Sequence, residues 1–359
     1  MACALAVLTG GVSRGAATDQ DRGAKVTTNV EIAPARELKA DPAAREALTR
    51  LLRQILDDRK ELESKRMSMM AKMPPGKDDS LVRDEQAMVF EARTSELDSL
   101  AQFARRFPCS LEALSAKFLI GFTFCLGVPG YPEDTGLPCF DDTATNYSET
   151  REGLMSRWAA LGLRVWEMVE QQRQSQMHKA RPVDRKAARD LLVELLTATK
   201  DLLPVAANVD ADASEFGRTY RVMLLSRLSN PEDHKLLPVV RGELAQVLSA
   251  LGRSEEAREA YRGIIRDFPG TRDAREAEIR LGTMDGQDKE GWRQPLETLL
   301  AGEKGGEADA RAPVVPAGAR GSFWGARWVG LVSCGAAAVL GFCIVLVVLR
   351  LRRRQRDRA

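Results

Sequence analysis

Apolar residues recur at three- and four-residue spacing through most of this chain, which is the pattern of one buried face of an α-helix. The first such run follows Asp41 and Pro42, a favourable start because Asp can cap a helix and Pro is tolerated in its first turn. Its members are Leu48, Leu51, Leu52, Ile55, Leu56 and Leu62. No segment alternates apolar and polar residues with a period of two, so we expect an all-α fold without a sheet.

Eight further helices are predicted between loops rich in Pro, Gly, Asp and Asn. They cover about 84–106, 110–126, 149–178, 184–203, 213–228, 235–251, 254–267 and 271–284. The stretch 127–147 is instead expected to be a long acidic loop. It lacks the alternating acidic residues around a central Gly that are typical of a calcium-binding loop. We therefore interpret its acidic residues as side chains exposed to solvent.

The 21 residues from 329 to 349 contain no charged side chain. As a helix they would reach roughly 31 Å, about the thickness of the hydrocarbon layer of a bilayer. Six Arg follow within 350–359, and Trp324 and Trp328 precede the apolar run. The positive-inside rule then predicts a single-pass protein with a basic cytoplasmic tail at 350–359 and an extracytoplasmic, periplasmic body.

This topology requires an export signal, and residues 1–17 offer a short apolar stretch followed by Gly15-Ala16-Ala17, a small-residue cleavage site. The stretch lacks a basic n-region, so a tail-anchored protein with a cytosolic body stays open as the alternative. Between the ends we predict a linker at 18–40, a helical repeat-like domain at 41–300 and a flexible Gly/Ala/Pro-rich tether at 301–328.

A more specific pattern extends from Pro238 to Gly270. Its landmark residues are Leu244, Ala245, Leu248, Gly252, Ala257, Tyr261, Ile264 and Pro269. Gly252 permits a turn with positive φ, Ala257 permits close approach of two helices, and Pro269 ends the second helix. A Phe-Pro pair precedes two small-residue helices at equal offsets, first at 107–108 and again at 268–269, so we expect Ala113, Ala116 and Ala257 to be buried in helix hairpins at 95–126 and 236–267.

This pattern resembles the tetratricopeptide repeat. The spacing after the two Phe-Pro pairs is similar to that of tetratricopeptide proteins of bacterial envelopes, such as outer-membrane-assembly lipoproteins and the periplasmic partners of the Tol–Pal system. Arg241 departs from the Trp that the motif often has, and Leu248 from its Tyr. The resemblance covers about 95–126 and 236–284 and implies a right-handed stack of helix pairs with a concave, partner-binding face.

In repeats of this type the first helix of each pair lines the concave face. The resemblance therefore assigns partner binding to Gly242, Gln246, Ser249 and Ala250. These residues are small or weakly polar and lack the Lys and Asn clamp that captures C-terminal carboxylates in some relatives. A receptor for peptide tails is therefore not expected.

Little in the sequence indicates catalysis. His178 and His234 lie in separate regions without a metal-ligand companion, one on a helix surface and the other in a capping or loop position. No nucleophile, phosphate-loop or zinc motif occurs, so we predict no cofactor, no metal and no enzymatic activity. Cys125 and Cys139 are either a disulfide, in an oxidising compartment, or two buried thiols.

The net charge of +2 arises from a basic tail on a mildly acidic body, which does not indicate nucleic-acid binding. Within the apolar run, Ser333, Ala337 and Gly341 form a small-residue stripe. Such a stripe permits close approach of two membrane helices and predicts a weak homodimer. Alternatively, the helix faces lipid all round and pairs with nothing.

The combined prediction is a membrane-anchored scaffold in the cell envelope that binds an unknown protein partner through a helical stack and contacts the bilayer through 329–349. Two alternatives stay open at this point. One is a helical enzyme with a dispersed acidic site, and the other is a tail-anchored cytosolic adaptor.

Overall fold

A computed structural model describes residues 30–284, except 72–78, 130, 132, 179–182, 227 and 229. These residues belong to one compact unit and form ten α-helices. In chain order they are α1 (Pro42–Ala71), α2 (Asp79–Arg106), α3 (Leu111–Cys125), α4 (Leu137–Asn146), α5 (Arg151–His178), α6 (Arg185–Ala211), α7 (Glu215–Leu225), α8 (Leu236–Ala250), α9 (Ser254–Asp267) and α10 (Arg272–Met284).

The prediction of an all-α fold is confirmed for the described part of the chain. Its only β-type pairing is an isolated bridge between Lys39 and Ser110. None of the described helices is long and apolar enough to cross a membrane. The segments 1–17 and 329–349, with the stripe Ser333, Ala337 and Gly341, lie outside the described residues.

Helix α3 forms the centre of the N-terminal part of the fold. It packs against α2 and α4, and it also contacts α1 and α5. Ser110 caps it, because the Ser110 hydroxyl oxygen accepts a hydrogen bond from the Ala113 N–H at 3.0 Å. Ala113 and Ala116 are both 0% exposed, which confirms their predicted burial in the 95–126 hairpin.

The loop predicted at 127–147 is wrong over most of its length. A 3₁₀ turn covers Glu133–Gly136, and α4 follows it directly. The reason is packing, since Phe140 and Cys139 are buried against the core, and Pro138 lies in the first turn of α4, where its missing N–H is tolerated. Cys125 and Cys139 are both buried as thiols, and burial raises the pKa of Cys139 to about 11.

Helix α6 is also longer than predicted. The sequence suggested an end at 203, before Pro204, but the helix continues to Ala211 with Pro204 exposed inside it. Ala206 and Val209 are buried beyond the proline. Their burial offsets the backbone hydrogen bond that Pro204 removes.

Helix α7 departs from chain-order packing. Helices α6 and α8 pack closely on each other, whereas α7, which connects them, lies mainly against α1. Phe216, Tyr220 and Met223 anchor it in the core, each with 5% exposure or less. The connection between α6 and α8 therefore joins the N-terminal and C-terminal parts of the fold.

The C-terminal helices α8, α9 and α10 pack in sequence, with α9 against both of its neighbours. Gly252 and Gly270 end α8 and α9 in left-handed turns with φ of 76°, a conformation that favours glycine. Ala257 is 0% exposed between α8 and α9, as predicted from the sequence. Tyr261 and Ile264 fill the same interface at 2% exposure each.

Candidate functional site

The predicted partner-binding residues all lie on α8. This helix packs against α6 and α9, so two of its sides are occupied. Its start is held by Asp210 at the end of α6, whose carboxylate oxygens accept hydrogen bonds of 2.8 Å from the N–H groups of Leu236 and Leu237. Burial holds the pKa of Asp210 above its usual value, although these N–H groups and Arg221 favour the charged carboxylate.

The structure divides the four predicted residues into two pairs. Gly242 and Ser249 are half-buried, whereas Gln246 and Ala250 are 5% and 7% exposed. Gln246 and Ala250, which the resemblance assigned to the concave face, are therefore nearly closed to solvent in this conformation. The physical reason is that α8 is covered from two sides, so its free face is narrower than the repeat pattern implies.

The space over Gly242 is open. Apart from its chain neighbours and the local helix backbone, no heavy atom of the described residues lies within 4 Å of the position that a Cβ would occupy. Glycine inside a helix costs about 0.5–1 kcal/mol relative to alanine. No close packing at Gly242 offsets that cost, so this glycine has no structural explanation within the described fold.

We expect Gly242→Ala to raise the free energy of unfolding by about 0.5–1 kcal/mol, because it removes backbone entropy from the unfolded chain without a clash. Urea denaturation of the full-length protein in mild detergent, followed by circular dichroism, measures the change. A lower free energy of unfolding would mean that the space over Gly242 is closed in solution.

One helical turn from Gly242, the amide oxygen of Gln246 is buried and accepts no hydrogen bond from the part of the chain that the structure describes. A buried acceptor without a donor costs about 1–3 kcal/mol. The Gln246 oxygen, one turn from Gly242, is therefore a buried acceptor that the described residues leave unused.

Charged contacts tie α8 to its neighbours beside this face. Arg241 donates a hydrogen bond to Asp267 at the end of α9, and its guanidinium lies 5.6 Å from the centre of the Phe268 ring. The hydrogen bond from Arg241 lowers the pKa of Asp267. His234, in the loop before α8 as predicted, is 4% exposed and lies 3.1 Å from Asp273 at the start of α10.

Two other polar clusters are closed to solvent. On α2, Glu96 is 6% exposed and accepts hydrogen bonds from Arg59, Arg93 and Thr123, with 2.6 Å to the Thr123 hydroxyl. Burial raises its pKa, but the two guanidiniums outweigh this effect and hold the pKa below its usual value. This cluster was not predicted from the sequence.

A second buried cluster involves α3, α5 and α7. Ser115 donates a hydrogen bond of 2.6 Å to Glu152, which also pairs with Arg151, and the Arg151 guanidinium lies 4.6 Å from the centre of the Tyr220 ring. Ser115 is 1% exposed and Tyr220 0%, so no substrate can reach either hydroxyl in this conformation. Burial raises the pKa of Tyr220 above its usual value.

Among the described residues, no group of three or more His, Cys, Asp or Glu side chains is arranged so that it could hold a metal ion. The α8 face around Gly242 is therefore the candidate site that the described geometry favours. Comparison with protein-family models, with curated proteins and with solved structures gives no match for this chain.

Proposed function

We propose that this chain is a membrane-anchored scaffold that binds a protein partner at the face of α8 around Gly242. The observation that carries the proposal is the open space over this glycine, in the middle of a helix whose other sides are packed. A helix without a side chain at one position lets a second backbone approach closely. Ser249, which is half-buried further along the same helix, supplies a neutral hydroxyl group.

The arrangement of α8, α9 and α10 supports a tetratricopeptide-like scaffold. Each helix packs on the next, the turns are made by glycines with positive φ, and Ala257 and Ala277 lie in the interfaces. Stacks of this kind present the first helices of successive pairs along one binding surface. The anchor and the location in the cell envelope belong to the same proposal and are supported by the uncharged run 329–349 and the Arg residues that follow it.

We favour a binding function over a catalytic one because the most strongly hydrogen-bonded polar side chains of the described fold are buried. Glu96, Ser115 and Glu152 are each engaged by neighbouring side chains and 6% exposed or less. They stabilise helix contacts, and none of these three side chains lies at a surface that a substrate could reach.

The test is a double variant, Gly242→Arg with Ser249→Arg, in the full-length protein expressed in membranes. Two Arg side chains fill the open face and add charge that a partner fitted to neutral groups must leave unpaired. We expect recovery of the bound partner to fall at least tenfold, measured by crosslinking in membranes and quantitative mass spectrometry of co-purified proteins.

The matched control is Ser64→Arg, which places the same substitution at an exposed position of α1 far along the chain from α8. This variant should recover the partner at the wild-type level. Circular dichroism and thermal unfolding of each purified variant separate a lost interface from a lost fold. If the double variant retains every partner that the control retains, the assignment of this face is wrong.

A further inference from the structure

The C-terminal end of the described fold has a small core of its own. Its fully buried members are Ala245, Tyr261, Ile264 and Ala277. Around them lie apolar side chains that are only partly buried, namely Ala260, Ile265, Phe268, Leu281 and Met284. In stacked helical folds the last layer needs a cover with a polar outer face, because each layer leaves the apolar side that its successor would bury. The described residues do not provide that cover.

If α8 and α9 form one helix pair, α10 is the first helix of the next pair, and no described helix forms its second member. Helix α8 pairs with α9, and α10 then packs on α9, but no described helix follows it. Ala274 and Ala277 are buried on one side of α10. Toward its end, Leu281 and Met284 are half-buried, and on its outer side Ile279 is 65% exposed.

The chain that follows has the composition such a cover requires. Beyond Met284 come Trp292, Leu296, Leu299 and Leu300, with spacings that place them on one face of a helix. The charged residues Arg293 and Glu297 fall between them. No other apolar run occurs before the tether at 301–328.

The linker between α10 and Trp292 is long enough for residues 292–300 to dock on their own chain. The seven residues 285–291 can span at most about 25 Å when extended. The 13 residues of α10 are about 20 Å long, so Trp292 can contact any point along this helix. A linker this short gives an effective concentration in the millimolar range, which favours the chain's own segment over a second copy.

We infer that residues 292–300 dock on the partly buried apolar margin formed by Ile265, Leu281 and Met284 and complete the last helix pair of the fold. Trp292 and the three leucines cover the margin, and Arg293 and Glu297 face solvent. The interaction surface is intramolecular. It ends the stack immediately before the tether, so the tether leaves from a folded element.

Disulfide scanning in the full-length protein tests this inference. The background replaces Cys3, Cys109, Cys334 and Cys343 with Ser and keeps the buried Cys125 and Cys139. Ile265→Cys on α9 is combined with a second cysteine at 292, 296 or 299, and in the matched control set at 293 or 297. Oxidation in mild detergent is followed by mass spectrometry of the linked peptides and by non-reducing electrophoresis.

We expect intrachain disulfides from at least one of 292, 296 and 299, formed at least fivefold faster than from 293 or 297. Equal rates from both sets would overturn the inference, since they would indicate random encounter. A disulfide-linked dimer from the apolar set would overturn it in favour of a second copy as the occupant. Absence of any crosslink would also overturn it. The second readout is hydrogen exchange, where Leu296→Asp with Leu299→Asp should speed exchange in α10 and leave α3 unchanged.

Discussion

Replacing Glu96 with Gln should lower the free energy of unfolding by about 3–5 kcal/mol, because it leaves two guanidiniums in the interior without a countercharge. The Glu96 carboxylate lies between Arg59 and Arg93, at 3.1 Å from Arg59 Nε and 3.0 Å from Arg93 Nη1. The side chain of Glu96 is 5% exposed and that of Arg59 12% exposed, so water screens these charges little. Gln has nearly the same shape as Glu, so this variant isolates the effect of the negative charge at position 96.

The comparison variant is Glu61→Gln on α1, whose carboxylate pairs with Lys65 at 2.6 Å on the solvent side. This exposed pair should contribute no measurable stability. Urea denaturation of both variants and the wild type in mild detergent gives the free energies. Equal losses in Glu96→Gln and Glu61→Gln would show that the buried cluster adds nothing to stability.

The same carboxylate predicts a pH dependence. The pKa of Glu96 is lower in the folded protein than in the unfolded chain, so its contribution is fully present above the unfolded pKa and is lost as pH falls through the folded pKa. The wild type should therefore keep its full advantage over Glu96→Gln from neutral pH down to about the usual glutamate value of 4.5, and lose it progressively as the pH falls further. A constant difference down to pH 2 would contradict the assignment of the lowered pKa.

Substituting Gly153 with Ala should cost about 3 kcal/mol, although alanine is the better helix former. Gly153 lies in the first turn of α5, and a Cβ there would be 1.9 Å from the carbonyl oxygen of Tyr147 and 3.1 Å from the Cα of Ser148. The clash is with backbone, which cannot rotate away. The turn is itself held in place, because the Tyr147 hydroxyl donates to the carbonyls of Ile32 and Ala33 at 3.1 Å.

Gly242→Ala is the matched control, since it makes the same change inside a helix where the Cβ meets open space. The two variants should move the free energy of unfolding in opposite directions in the same urea experiment. If Gly153→Ala were neutral, the turn at 147–150 would have to move without loss of packing. Hydrogen exchange in residues 30–40 would detect such a movement.

The parts of the fold that follow from local pattern were predictable from sequence. Helix α9 begins and ends as predicted at 254 and 267, because Gly252 and Pro269 punctuate the chain on both sides. Helices α4 and the end of α6 were not predictable by the same rules. Pro204 locally argues against a helix, whereas Pro138 is compatible with a first turn only, and burial of neighbours such as Phe140 and Val209 decides both cases.

The sequence predicted which helix carries the candidate site, but not which residues of that helix are exposed. The repeat spacing locates α8 and its face, but burial of Gln246 depends on the helices packed on α8, and α6 among them has no clear repeat pattern. The buried charges could have been found by extending one stripe. Leu48, Leu52 and Ile55 continue at the same spacing to Arg59, so the apolar face of α1 predicts that this cation is buried.

The contact between α7 and α1 has a consequence for folding. Open solenoids fold and unfold in local steps because each repeat contacts only its neighbours. Here Arg59 of α1 donates a 2.7 Å hydrogen bond to Ser226, 167 positions away, at the end of α7. Such a distant pairing adds loop-closure cost before it contributes stability, so it slows folding and joins the two halves into one cooperative transition. Removal of α1 should therefore weaken the C-terminal helices as well, in contrast to the stepwise loss of end repeats from a linear array.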